Sequence, residues 1–148
     1  MGQARNPRSL ETFHTNDLRR KRSRAMVEAL RERARYLPET DRALIEAVFA
    51  DGTPVSKLAG VIGEEPRKLR RRIRRLTGRL LDPRFRFVAE RHANWRPTRR
   101  KVGQACVLGG LSIRKASERL QLSFYTVRHH KEAIDAMFEH TQTSGVGS

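Results

Sequence analysis

At 148 residues the chain can hold one ordinary domain or two very small ones, and its single cysteine excludes an internal disulfide framework. Thirty-two Lys and Arg oppose sixteen Asp and Glu, a formal charge of +16, and only six of those cations are lysine. Arginine pairs bidentately with phosphate and with guanine edges, so a polyanionic partner is the default. No apolar run approaches the roughly 18 residues of a membrane span, so no membrane partner is expected. The Arg-rich opening lacks an apolar signal region, which makes a cytoplasmic, nucleoid-associated protein the expectation.

In chain order, residues 1–15 lack periodicity and read as a disordered arm. Asn16 stands where an N-cap belongs, and Met26, Leu30, Ala34 and Leu37 then form one narrow apolar stripe. Leu37-Pro38-Glu39-Thr40-Asp41 marks a second helix start, with Leu44, Ile45, Val48 and Phe49 on one face until Asp51-Gly52 stops it. Thr53-Pro54 reads as N-cap and first position of the next helix, which carries Val55, Leu58, Ala59 and Ile62 and ends at Gly63. Glu65-Pro66 opens another, with Leu69, Ile73, Leu76 and Leu80 facing inward. Three helices with short joints, the last two a tight pair, have helix-turn-helix organisation. Residues 16–80 are thus expected to form an N-terminal helix plus a first helix-turn-helix unit.

Sliding the sequence against itself by 58 residues superposes Ala47 on Ala105, Gly52 on Gly110, Lys57 on Lys115 and Arg70 on Arg128. The apolar positions match too: Leu44 with Val102, Phe49 with Val107, Val55 with Ile113, Leu69 with Val127 and Leu76 with Ile134. A second unit is therefore expected over 98–139. Between the units, 81–97 reads as a helical linker opened by Asp82-Pro83, with Trp95 pinning it to one of them. Residues 140–148 read as a flexible tail. The expected fold is all-α: two tandem three-helix units joined by a short helical linker, with an additional N-terminal helix.

The candidate chemistry lies on the last helix of each unit. Arg67, Lys68, Arg70, Arg71, Arg72, Arg74, Arg75 and Arg79 share one helix that contains no acid. Like charges at i and i+4 destabilise an isolated helix, and a polyanion lying alongside compensates for them. Arg67, Lys68, Arg71 and Arg72, near the helix start, are the candidates for bases or nearby phosphates. Arg74, Arg75 and Arg79 are expected to hold backbone phosphates.

The second unit contains GLSIRKASERLQLSFYTVRHH, with Ile113 apolar, Ala116 and Ser117 small, a turn at Gln121-Leu122, Ser123 as N-cap and Val127 inward. This stretch, together with LPETDRALIEAVFADGTPVSKLAGVIG in the first unit, resembles region four of bacterial sigma factors and related response-regulator output domains. The resemblance covers roughly 37–80 and 98–138. The pattern departs at Glu64 and at Lys131, where apolar residues are wanted. The resemblance implies that Ser123, Phe124, Tyr125, Thr126, Arg128 and His129 lie at the groove-facing start of a second recognition helix. Phe124 and Tyr125 have two open roles, contact with DNA or packing within the unit.

The expected function is sequence-specific binding of double-stranded DNA, as a bacterial or phage transcription regulator. RNA polymerase is a further candidate partner, and a monomer is compatible with two recognition helices in one chain. The alternatives are the DNA-recognition portion of a mobile-element protein and an RNA-binding protein. No catalysis is expected, because the carboxylates show no spaced set to hold two metals. His14, His92, His129, His130 and His140 make no ligand pattern with Cys106, so neither metal nor cofactor is expected. The first unit is expected to carry more charge and more of the affinity, the second more of the discrimination.

Overall fold

Proline starts, left-handed stops and apolar spacing divide the chain into eight α-helices in the computed structural model, which describes residues 23–146, with side chains through 144. Helix α1 covers 23–34. Helix α2 (Glu39–Ile45) runs on through a π turn at Glu46–Ala50, and α3 (Val55–Ile62) and α4 (Pro66–Leu80) follow. Helix α5 (Pro83–Arg91) ends in a 3₁₀ turn at His92–Asn94, and α6 (Pro97–Val102) continues through a π turn at Gly103–Leu108. Then come α7 (Ile113–Leu120) and α8 (Phe124–Val146). The fold is all-α, with no strand among the described residues. No helix among them is long and apolar enough to cross a membrane.

The 58-residue period recurs in the backbone hydrogen bonds. The Arg42 N–H donates to the Pro38 carbonyl and Arg100 to Arg96, both at 2.9 Å. Each π turn closes alike, Asp51 on Glu46 at 3.0 Å and Gly109 on Gln104 at 2.7 Å. Thr53 on Ala47 and Leu111 on Ala105 follow, both at 2.9 Å. Gly52 and Gly110 hold φ of +67° and +69° at this stop, a conformation that Cβ-bearing residues rarely take. The next stop falls at Gly63 (φ +78°) and Gln121 (φ +54°). There the following N–H, Glu64 or Leu122, returns to Ala59 or Ser117 at 3.0 and 3.1 Å. A left-handed residue followed by such a bond is the Schellman closure of a helix.

The period also reaches further back than the sequence suggests. The Leu37 N–H donates to Ala34 at 2.9 Å, and 58 residues on Trp95 donates to His92 at 3.1 Å. Leu30 and Ala34 of α1 are fully buried, as is Val88, and His92 is buried to 8% exposure. The segment 81–97, expected as a linker, is therefore the counterpart of α1 and opens a second four-helix repeat. The reason is burial: three short helices leave apolar faces open, and α5 covers them with Phe85, Phe87 and Val88, all under 8% exposed. Burying each stabilises by roughly 1.5–3 kcal/mol. Trp95 pins the second repeat, lying so close to Gly103 that a Cβ there would come within 3.0 Å of its ring.

The repeats share one apolar core. Arg33 donates to the Leu80 carbonyl at 2.7 Å, and Tyr36 packs edge-on against Phe85 and His92, 6.0 and 5.9 Å between ring centres. His92 Nδ1 meets the Val88 carbonyl at 2.8 Å, so the imidazole is tied within its own helix.

Helix starts at Glu65-Pro66 and Asp82-Pro83 lie where expected, and the Asp82 carboxylate accepts the Arg84 N–H at 2.9 Å. Helix α3 starts one residue later than expected, with Pro54 rather than Thr53 at the cap. Met26, expected in the apolar stripe of α1, is 38% exposed. The expected flexible tail is helical through Val146, with Thr141 and Ser144 hydroxyls bonded to the Met137 and His140 carbonyls at 2.9 Å. The expected arm (1–15) and the Asn16 cap lie outside the described residues.

Candidate nucleic-acid interface

Helix α4 buries Leu69, Ile73, Leu76 and Leu80, a stripe that turns its opposite side to solvent. Arg67, Lys68, Arg70, Arg71, Arg74 and Arg75 are all exposed. None of the six forms an ion pair among the described residues, and the helix carries no acid. At about 100° per residue, Arg67, Arg71 and Arg74 lie opposite the buried stripe, with Lys68 and Arg75 beside them. This is a continuous cationic ridge.

Arg72 and Arg79, expected in the same set, are engaged inside the fold. Arg72 Nη2 lies 2.6 Å from Asp41 Oδ1, and its Nη1 lies 3.8 Å from Glu64. Glu64, a departure from the apolar pattern, thus helps to hold Arg72. Arg79 donates to the Leu108 carbonyl at 2.9 Å and ties α4 to the second repeat. Burial holds its pKa below the usual arginine value, with Asp41 opposing and Arg75 adding to the shift. Both guanidiniums sit on the flank of α4 nearest the core, where a carboxylate or carbonyl is within reach.

Helix α8 presents a different surface. The Ser123 hydroxyl accepts the Thr126 N–H at 3.0 Å and meets the Thr126 hydroxyl at 2.7 Å, so these two residues build the cap. Phe124 and Tyr125 are 52% and 76% exposed, so packing within the unit is not their role. The Tyr125 ring stacks on His129, 6.2 Å between centres and 14° from parallel. Arg128 Nε lies 3.0 Å from Glu132, one exposed turn away. The start of α8 is therefore aromatic and imidazole, with its one guanidinium shared with a carboxylate.

The second repeat holds its cations on earlier helices, which the charge of the two last helices alone does not reveal. Arg96 and Lys101 of the α6 region and Arg114, Lys115 and Arg119 of α7 are exposed. Their counterparts 58 residues earlier are Pro38, Ala43, Ser56, Lys57 and Val61. Residues 38–80 contain ten Lys and Arg against six acids, whereas 96–138 contain nine against three. The expectation that the first unit is the more charged is corrected: its cations are concentrated on one helix, but its acids offset more of them.

Where the first repeat sets Asp41 against Arg72, the second has Arg99 and His130. Arg99 Nε and His130 Nδ1 are buried without a hydrogen-bond partner among the described residues. Burial, then the charges of Arg99 and His129, hold the His130 pKa below the usual histidine value. Cys106 is a core residue, 8% exposed, and burial pushes its thiol pKa up. Among the described residues no group of three His, Cys, Asp or Glu is placed to hold a metal ion. Compared with family models, curated proteins and solved structures, the chain matches none.

Proposed function

We propose that this protein binds double-stranded DNA through two helix-turn-helix units, α2–α4 and α6–α8, with α4 and α8 as recognition helices and transcription regulation as the role. The observation that carries the reading is the α4 ridge: six exposed cations on one acid-free helix, none neutralised among the described residues. Such a ridge is self-repulsive until a polyanion lies against it. The α3–α4 and α7–α8 joints are short, residues 63–65 and 121–123, a length that suits the turn of a helix-turn-helix. The two helices differ in chemistry, so the unit with the arginine ridge supplies phosphate contacts and the exposed start of α8 supplies base discrimination, including apolar contact with thymine methyls. Because Arg79 and α5 tie the repeats together, spacing between the two sub-sites is rigid rather than set by an extended linker.

Selection from random duplex DNA, followed by salt titration, tests this. Arg74→Ala with Arg75→Ala should flatten the slope of log affinity against log salt by about 0.9 for each phosphate no longer neutralised, with sequence preference kept. Tyr125→Ala should relax preference at one or two base pairs. An unchanged slope, or equal affinity for duplex RNA, would overturn the assignment.

A further inference from the structure

Helix α8 buries Val127 and Ile134. At about 100° per residue, Tyr125, Arg128, His129 and Glu132 lie on the side away from them. Their counterparts 58 residues earlier are Arg67, Arg70, Arg71 and Arg74, exposed cations of α4. The sharpest change is at Glu132, a carboxylate where α4 has Arg74. Its side chain is 67% exposed, and its Oε1 accepts the Arg128 Nε–H at 3.0 Å. The two Nη groups of Arg128 meet no acceptor among the described residues.

An exposed ion pair one helical turn apart adds little to stability, so its main consequence is orientation. A carboxylate facing a phosphate backbone also lowers affinity for every duplex, which an interface built only to bind DNA would avoid. Resting on the reading of α8 as a recognition helix, we propose that Glu132 is a positioning residue that directs Arg128 to a guanine. With Nε held by Glu132, the guanidinium presents its Nη pair, two parallel donors with no acceptor between them. In the major groove only guanine offers two adjacent acceptors, N7 and O6. Adenine and cytosine place an amino donor there, and thymine a single acceptor. In α4 the matching Arg70 has Arg74 one turn on, so no carboxylate holds its fork and both serve phosphates. One exchanged residue thus separates a base reader from a phosphate clamp.

Selection from random duplex DNA with the full-length protein, then affinities for the selected site with each guanine replaced in turn, tests this. One guanine is expected whose replacement weakens wild-type binding by about tenfold, and Arg128→Ala should abolish that preference. Glu132→Ala and Glu132→Gln remove the same charge, but only glutamine keeps an oxygen to accept the Nε–H. Both should bind unrelated duplexes more tightly. Glu132→Ala should lose the guanine preference several-fold, whereas Glu132→Gln should keep most of it. Equal loss in the two variants would make the effect one of charge alone and overturn the proposal, as would a preference that neither moves. A guanine preference that survives Arg128→Ala overturns it too, while leaving α8 a recognition helix through other residues. If no duplex binds at all, the functional reading fails and this inference with it.

Discussion

At positions 41 and 72 the first repeat sets a carboxylate against a guanidinium; at 99 and 130 the second sets a guanidinium against an imidazole. The backbone around these pairs is the same, with hydrogen bonds recurring at matching positions within 0.3 Å from the Arg42 turn to the Val127 turn. What the two repeats share is turn geometry and apolar positions. What they do not share is the placement of charge, which can be redistributed because it sits on the outside or on half-buried flanks. The first repeat concentrates cations on α4 and keeps acids elsewhere. The second spreads them over α6 and α7 and leaves the start of α8 aromatic.

The sharpest way to break the comparison is at the opening helices. Phe85 of α5 is 1% exposed, whereas its counterpart Val27 in α1 is half-buried. Phe85→Ala should destabilise by about 3–5 kcal/mol, and Val27→Ala by about 1, with unchanged m in urea unfolding. Equal losses would mean that α1 and α5 are equally committed to the core.

Next are the turns, where one repeat uses glycine and the other does not. Gln121 is held at φ +54° with a Cβ, and Gly63 at φ +78° without one. Gln121→Gly should stabilise the protein by up to about 1 kcal/mol, and Gly63→Ala should destabilise it by about as much or more. Thermal unfolding with shifts of the same sign would sink the equivalence of the two stops.

The smallest effect concerns the paired side chains. A double-mutant cycle on Asp41 and Arg72, both partly exposed, should return a favourable coupling of roughly 0.2–1 kcal/mol. The cycle on Arg99 and His130 should return none or an unfavourable one. Because the folded His130 pKa lies below its unfolded value, both states are neutral above about pH 6.5 and nothing is lost there. Below that pH the unfolded chain takes the proton first, so stability should fall, and His130→Gln should remove part of the fall. A pH-independent difference between wild type and variant would show that His130 does not cause it.

Much of the architecture was legible because it is local. Proline after an acidic cap marks α4 and α5, Ser123 marks α8, and Gly52, Gly63 and Gly110 mark stops, each through the φ and ψ its own residues allow. The apolar spacing named Leu69, Ile73, Leu76 and Leu80 correctly, since a 3.6-residue period needs no knowledge of what covers the stripe. The cationic run of α4 was legible for the same reason.

Which of those arginines face outward was not. Arg72 is held by Asp41, 31 residues away, and Arg79 by a carbonyl 29 residues away. Nothing in the local spacing separates them from Arg71 or Arg75. The equivalence of α1 and α5 was hidden likewise: His92 stands where Ala34 does, and the pair is alike only in being buried. The exposure of Phe124 and Tyr125 also depended on what their helix meets. By itself the sequence determined turns, helix starts, the inward stripes and the 58-residue period, all properties of short stretches of chain. Only the tertiary structure decided which charges are engaged inside and that 81–97 is a repeat element, because those depend on which faces meet across tens of residues.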